Sequence, residues 1–293
     1  MNDDGGAPGP GGPGRAGALS RVVDHLACPV CRAPLTLDDG TVRCAAGHAF
    51  DVARQGHVTL LGGRRAFAGD DAAMVAAREA FLARRHYGRL AHAVAEAVGD
   101  RSGLCVDLAG GTGYYLAAVV ADRPHLTGLV LDASTPALKR AARAHERVAA
   151  VGADVWQALP LLDDAADVVL SVFGPRNVPE IRRVLAPGGR FVVATPTPRH
   201  LHELVEPLGL VRVGPEKESR LAAQLAELAP ESSREIEYRV PMSRHDVLDE
   251  VAMGPSSHHV AAETLQEAVA DLPDPVDVTV SVTVRSFRAP VGD

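Results

Sequence analysis

The chain has 293 residues, 46% of them hydrophobic and 23% charged, which suits one large domain plus a small accessory unit and excludes global disorder. Its formal net charge of −7 excludes a protein that coats nucleic acid through bulk positive charge, though not one with a local basic face. No apolar run approaches the roughly 20 residues that cross a bilayer, and the first residues lack an apolar signal region, so a cytoplasmic protein with no membrane contact is expected.

Residues 1–20 are rich in Gly, Pro and Ala and read as a disordered tail. Residues 21–65 read as a zinc-binding module, with short strand-like pieces at Thr41–Cys44 and His57–Leu61 and turn residues Asp38, Asp39 and Gly40 before the first. Cys28-Pro-Val-Cys31 is followed after twelve residues by Cys44-Ala-Ala-Gly-His48. Two such knuckles complete a tetrahedron around Zn2+, and four protein ligands leave no open position, so the expected zinc is structural. Cys105 stands apart inside an apolar run and reads as a core residue.

Residues 66–100 read as a helical linker, with Asp70–Val98 as helix. Its apolar positions are Met74, Phe81, Leu82, Leu90, Val94 and Val98, interspersed with Arg78, Arg84, Arg85 and Arg89. From Arg15 to Arg89 there are 11 arginines, no lysine and 7 acidic residues, a surplus of four positive charges that leaves the rest of the chain at −11. That segregation suits an accessory module gripping an anionic polymer, with Arg64 and Arg65 as candidate phosphate contacts and Arg182 and Arg183 as a contrasting pair.

Residues 101–293 alternate apolar runs with helical stretches, the pattern of a parallel α/β sheet with crossover helices. The strands read are Leu104–Leu108, Gly128–Leu131, Arg147–Val151, Asp167–Phe173 and Arg190–Thr195. A polar helical insertion near Pro198–Leu228 follows, and then Glu235–Val240 and Val276–Phe287 as an antiparallel pair closing the sheet.

The turn after the first of these strands is Asp107-Leu108-Ala109-Gly110-Gly111-Thr112-Gly113, followed by a helical run from Tyr114. Glycines there let the backbone approach a ligand at the carboxyl edge of the sheet. The pattern resembles the first motif of class I methyltransferases, with Ala109 replacing a glycine that most of them carry. That resemblance implies a Rossmann-like, mostly parallel seven-stranded sheet and S-adenosylmethionine as cofactor. It also implies that Asp132, ending the second strand, accepts the ribose hydroxyls and that Asp154, after the third, contacts the adenine edge. Leu185-Ala186-Pro187-Gly188-Gly189-Arg190 supplies the tight turn before the fifth strand. After the fourth strand, Ser171–Asn177 lacks the motif of enzymes that methylate exocyclic amines, and Arg176 and Asn177 are candidates to hold the acceptor base. No general base can be named.

Several longer strings carry a closer resemblance. They are Cys28-Pro-Val-Cys31, the run Gly47–Val58, Arg78-Glu79-Ala80-Phe81-Leu82 with His86-Tyr87, Ala194–Leu201, and Ala252-Met253-Gly254-Pro255-Ser256-Ser257. With them the chain resembles the large-subunit rRNA guanine-N1 methyltransferases of the RlmA type, particularly the macrolide-resistance branch known for tylosin and mycinamicin resistance. The resemblance implies methylation of guanine N1 in a 23S rRNA hairpin loop, a homodimer whose zinc modules flank an RNA cleft, and a cofactor enclosed by Tyr87, Gly113, Tyr114 and His200. Two other classes compete: a small-molecule methyltransferase of an antibiotic pathway, and a non-catalytic RNA-binding protein with a vestigial cofactor fold. The basic zinc module weighs against the first, and the presence of Gly111, Gly113, Asp132 and Asp154 against the second.

Overall fold

The computed structural model describes residues 17–62, 69–210, 225–254 and 262–290. Two short 3-10 turns, Leu19–Arg21 and Val23–His25, precede a small antiparallel sheet of β1 (Leu35–Asp38), β2 (Thr41–Cys44) and β3 (Ala49–Asp51). Then come β4 (Val58–Thr59), α1 (Ala72–Ala83), α2 (Gly88–Val98), β5 (Gly103–Leu108), α3 (Tyr114–Ala121) and β6 (Leu126–Asp132). The chain continues with α4 (Thr135–Ala141), β7 (Val148–Gly152), β8 (Ala166–Val172), α5 (Val178–Val184), β9 (Leu185–Pro196) and α6 (His202–Val205). It ends with β10 (Ala229–Met242), α7 (Arg244–Met253), α8 (Ala262–Ala270) and β11 (Val276–Arg288).

The large sheet runs in the order β10-β11-β9-β8-β5-β6-β7-β4. Among these strands only β11 runs antiparallel to its neighbours, so the sheet is mostly parallel with the expected antiparallel closure. The seven expected strands are all present. An eighth comes from the zinc module: β4 pairs in parallel with the end of β7, Val58 opposite Val151 and Thr59 opposite Gly152.

The linker departs from expectation. A single helix over Asp70–Val98 is replaced by α1 and α2, broken where Arg85 takes φ 61°. The break lets both halves bury their apolar faces, α1 against α7 and α2 against the sheet, which one straight rod could not do. Asp71 starts α1 by accepting the backbone N–H groups of Ala73 and Met74.

Residues buried on both faces are what a parallel sheet requires. One face packs against α2, α3, α7 and α8, through residues such as Phe81, Leu90, Leu116, Val130 and Val251. On the other, no helix lies in the crossover from β7 to β8. The zinc module and the turn just before it cover that area instead: Leu19, Val22, Leu26, Leu35 and Val42 are buried in one cluster with Leu104, Val106, Leu129, Leu131 and Ile181. Residues 17–20 of the expected disordered tail are thus ordered by packing on the sheet. Backbone bonds stitch the contact, with Ala27 N–H donating to Pro160 and Leu162 N–H to His25. The Arg32 guanidinium adds two more, to the carbonyls of Leu159 (2.7 Å) and Leu161 (2.8 Å).

The same contacts correct the reading of the basic N-terminal segment as free surface. Arg32 is bound to carbonyls, Arg78 pairs with Asp70 and donates to the Met253 carbonyl, and Arg84 pairs with Asp246 and Asp249. Arg89 lies over the Tyr238 ring. Residues 1–16, Arg64 and Arg65, residues 211–224 of the expected insertion, and Pro255-Ser256-Ser257 lie outside the described residues. No described helix is long and apolar enough to cross a membrane.

Arg32→Ala removes two charged hydrogen bonds across the module contact and leaves the Leu159 and Leu161 carbonyls to Arg183. It should lower unfolding stability by about 1 to 2 kcal/mol in urea titration with zinc still bound, the range of a net hydrogen bond to a charged group. A loss below about 0.3 kcal/mol would show that the module does not depend on that contact.

Candidate active site and zinc centre

The ligand atoms of Cys28, Cys31, Cys44 and His48 all lie within 4.8 Å of one another. Cys31 Sγ is 3.7 Å from Cys44 Sγ, and His48 Nδ1 is 3.3 Å from Cys44 Sγ and 3.6 Å from Cys28 Sγ. With Zn–S near 2.3 Å and Zn–N near 2.0 Å, tetrahedral edges fall at about 3.5 to 3.8 Å, so the donor set fits a zinc ion held by three thiolates and Nδ1. The group is closed, and zinc there braces the hairpin that covers the sheet. Cys105 is fully buried in β5, as its apolar setting implies.

A cleft of about 950 Å³ opens at the carboxyl end of the parallel strands. Its inner wall is the turn after β5. Ala109 there holds φ 51°, a left-handed conformation that a residue with a Cβ adopts at a cost of roughly 1 kcal/mol. At Gly110 even a methyl group is excluded, because a Cβ would stand 2.7 Å from Asp107 Oδ2. Asp107 is buried and its Oδ2 has no hydrogen-bond partner. Burial, with the nearby charge of Asp132, pushes its carboxyl up to about 8. A buried orphaned carboxylate oxygen under a glycine turn fits a cationic ligand group, such as the ammonium of S-adenosylmethionine.

Asp132, at the end of β6, receives the backbone N–H of Gly111 on Oδ2 (2.9 Å) and of Ser134 on Oδ1 (2.7 Å). Burial raises its pKa while these two donors oppose the shift. Each oxygen keeps a second lone pair, and the residue lines the cleft, in position for a vicinal diol. Asp154 also lines the cleft; its Oδ1 accepts the N–H of Trp156, whose side chain is 56% exposed. Gly111 and Tyr114 line the cleft too. Gly113 does not: a Cβ there would meet Ala141 and Ala144, so its role is to turn the chain (φ 78°) into α3.

The outer wall is aromatic. Tyr87, at the break before α2, packs edge-on against Phe81 (5.1 Å between centroids) and lies 6.1 Å from Phe173 and 5.9 Å from His200. Phe173 stacks on His200 at 5.6 Å, is 39% exposed and holds φ 56°. His200 Nδ1 accepts the N–H of Ser281 (3.2 Å), so a neutral ring carries its proton on Nε2, 3.4 Å from Tyr87 Oη. Burial holds that imidazole down at about 4. Tyr87 Oη in turn donates to Glu250 Oε1 at 3.2 Å.

Of the two candidates to hold the base, Arg176 lines the cleft, with a buried Nε that has no partner. Asn177 is a correction. Its Nδ2 donates to the carbonyls of Val155 (3.1 Å) and Gln157 (3.4 Å), so it pins the loop after Asp154 and is not among the cleft residues.

Glu250 was not read from sequence. Its burial pushes the carboxyl up to about 7. The one available signal is an acid one helical turn from the apolar Val247.

A mostly parallel sheet with a glycine turn over an orphaned carboxylate and strand-end acids around one cleft defines a class I methyltransferase, a fold that implies S-adenosylmethionine. Its comparisons narrow the class. Residues 26–64 match the family model described as RlmA, N-terminal, a zinc ribbon, and residues 105–189 match the one described as methyltransferase domain. A 23S rRNA (guanine(748)-N1)-methyltransferase of Streptomyces fradiae is 49% identical over 273 residues, covering 91% of this chain and 98% of the relative. A Micromonospora griseorubida protein, provisionally named a 23S rRNA (guanine-N1)-methyltransferase, is 46% identical over 289 residues with the same coverage. This chain belongs to the family of 23S rRNA (guanine-N1)-methyltransferases.

Cys31→Ala should reduce bound zinc, measured by atomic absorption, from about one per chain to near zero. Because the hairpin caps the sheet, the melting temperature of the whole protein should fall with it; zinc retained at one per chain would contradict the four-ligand site. Asp132→Ala should weaken S-adenosylmethionine binding at least tenfold, about 1.4 kcal/mol, with RNA affinity changed less than about threefold. Unchanged cofactor affinity in calorimetry would remove Asp132 from the ribose site.

Proposed function

We propose that this enzyme transfers a methyl group from S-adenosylmethionine to N1 of a single guanine in a hairpin loop of 23S rRNA in the cytoplasm, and that the product confers macrolide resistance. The observation that carries the reading is the continuity of the cleft. At about 950 Å³ it joins the acid-lined cradle to the exposed rings of Trp156 and Phe173. That is near the top of the range for small-ligand sites, roughly 300 to 1,000 Å³, and accommodates a cofactor with one extruded base beside it. A base laid against an aromatic ring gains about 1 to 3 kcal/mol, which favours an unpaired loop nucleotide over one inside a duplex.

The cofactor supplies an activated methyl group when bound, so this chain's residues mainly have to align acceptor and donor and take up a proton. In this reading Asp107 meets the cofactor's ammonium, Asp132 its ribose and Asp154 its adenine. Tyr87, Gly111, Tyr114 and His200 complete its surroundings, with Gly113 shaping the turn. Arg176 stands where a donor can stabilise negative charge developing on the guanine O6. The same reading keeps residues 21–65 as the zinc module, 66–100 as the linker and 101–293 as the catalytic domain, and assembles two copies into a homodimer around the RNA.

The test is to incubate the enzyme with labelled S-adenosylmethionine and a 23S rRNA hairpin transcript, and to map the product by mass spectrometry. One 1-methylguanosine in the loop is expected; label only in small molecules would overturn the reading. RNA affinity should also fall steeply with salt. Arg43 and Arg54 are exposed on the module and have no acidic partner among the described residues. Replacing both with Ala should flatten the log affinity–log salt slope by about 1, given roughly 0.7 per phosphate on single strands. The same change at Arg182 and Arg183, already paired with Glu227, Glu180 and Asp163, should do less.

A further inference from the structure

Resting on that reading, we propose that Glu250 is the general base that removes the N1 proton of the acceptor guanine. Guanine N1 carries a hydrogen, and its lone pair becomes available only as that hydrogen leaves. The reaction therefore needs an acceptor in the cleft, close to the ring that receives the base. Glu250 meets the geometric demand. It sits on α7, whose start is fixed by a reciprocal cap between Ser243 and Asp246, and whose packing against α1 is tied by the pairing of Arg84 with Asp246. The carboxyl lines the cleft at 9% exposure. Among the described residues, its one hydrogen-bond donor is Tyr87, whose ring also reaches Phe173 and His200. One side chain thus links the carboxylate to the aromatic wall where an extruded base would lie.

The other titratable groups of the cleft are committed elsewhere. His200 accepts from Ser281 with Nδ1 and carries its proton on Nε2 toward Tyr87, so it has no free lone pair to offer, and it is too weak a base at neutral pH. Asp107 lies under Gly110 on the cofactor side. Glu235 is exposed to water, away from the buried aromatic wall. Glu250 combines burial, a cleft position against the aromatic wall and a carboxyl poised near the working pH, the match that general-base catalysis favours, whereas Asp107, the other buried cleft carboxyl held near neutrality, lies on the cofactor side.

The step balances. The N1 proton passes to the Glu250 carboxylate, and the N1 pair forms the bond to the methyl carbon. The carbon–sulfur bond breaks with its pair retained by sulfur, which leaves a neutral thioether. Protonated Glu250 then returns its proton to water through the open cleft.

The group facing Glu250 is Tyr87 before α2, and Tyr87 is itself surrounded by Tyr115 on α3, Tyr238 on β10 and His200 after β9. Arg78 on α1 binds the carbonyl of Met253 one turn along the same helix. All three tyrosines are held above their ordinary range and His200 below its own, so none of these four changes charge near neutral pH. Among the other cleft carboxyls, burial holds Asp107 up at about 8 and also raises Asp132.

The experiment is single-turnover methylation of the hairpin from about pH 5.5 to 9, for the wild type, Glu250→Gln and Tyr87→Phe, with melting curves and cofactor binding recorded for each. Below pH 7 Glu250 holds a proton and cannot accept one. The wild-type rate should therefore rise about tenfold per pH unit and level off above an inflection near 7. Glu250→Gln should be about 10² to 10⁴ slower with cofactor affinity within about threefold, and should lose that inflection. Tyr87→Phe, which removes the donor stabilising the carboxylate, should move the inflection to higher pH. A Glu250→Gln rate within threefold of wild type, or an inflection that survives the substitution and so belongs to Asp107 or Asp132, would overturn the proposal. Should Glu250→Gln fail to fold, a flat wild-type profile or an unmoved inflection in Tyr87→Phe would overturn it instead. Absence of 1-methylguanosine from the wild-type reaction would sink the substrate reading itself, and the base with it.

Discussion

A parallel sheet cannot leave one face to water, and here the crossover from β7 to β8 contributes no helix to that face. The apolar side chains of Leu104, Val106, Leu129 and Leu131 would be uncovered there without the zinc module laid across them. Everything around the cleft depends on this cover. The metal holds a hairpin too small to keep its own shape, and the hairpin keeps the sheet dry. In turn the sheet positions the turn after β5 and the acids that end β6 and follow β7. The strand β4 extends the dependence to the sheet's edge, because it pairs with β7 at Gly152, two residues before Asp154.

The cleft has two walls of different chemistry. On the inner one, burial keeps carboxylates short of solvent: Asp107 has an orphaned oxygen, and Asp132 is held by two backbone donors. A charged ligand restores what burial takes away, since an ammonium near Asp107 or hydroxyls at Asp132 replace the lost water. The outer wall is a chain of rings, Tyr87, Phe173 and His200, backed by the buried Phe81, with strain stored at Phe173. Tyr87 belongs to both the packing and the polar network, and the break between α1 and α2 is what turns it into the cleft.

Charge also has to be judged after folding. An arginine surplus in the first third of the chain suggests a basic face, yet Arg32, Arg78, Arg84 and Arg89 are spent within the molecule on carbonyls, carboxylates and a tyrosine ring. What remains for an anionic partner is a smaller set, including Arg43 and Arg54 on the module. Counting charges along a sequence overstates the field that a folded surface presents.

The sequence by itself determined whatever depends on local spacing. Alternating apolar runs specify the seven strands of the catalytic domain, because a period of two and a buried run are properties of a few consecutive residues. The two knuckles specify the zinc ligands for the same reason, and the glycine turn with Asp107, Asp132 and Asp154 follows in strand order. Only the tertiary structure decided what depends on contacts between distant segments. These include the module's service as a layer of the catalytic core, the split of the linker helix, and the use of Asn177 to pin a loop. They also include the meeting of Tyr87, His200 and Glu250 from three separate elements. Glu250 in sequence is one acid in a polar helix. Burial beneath Tyr87 raises its pKa, and burial is set by what packs from elsewhere in the chain, which no local pattern records.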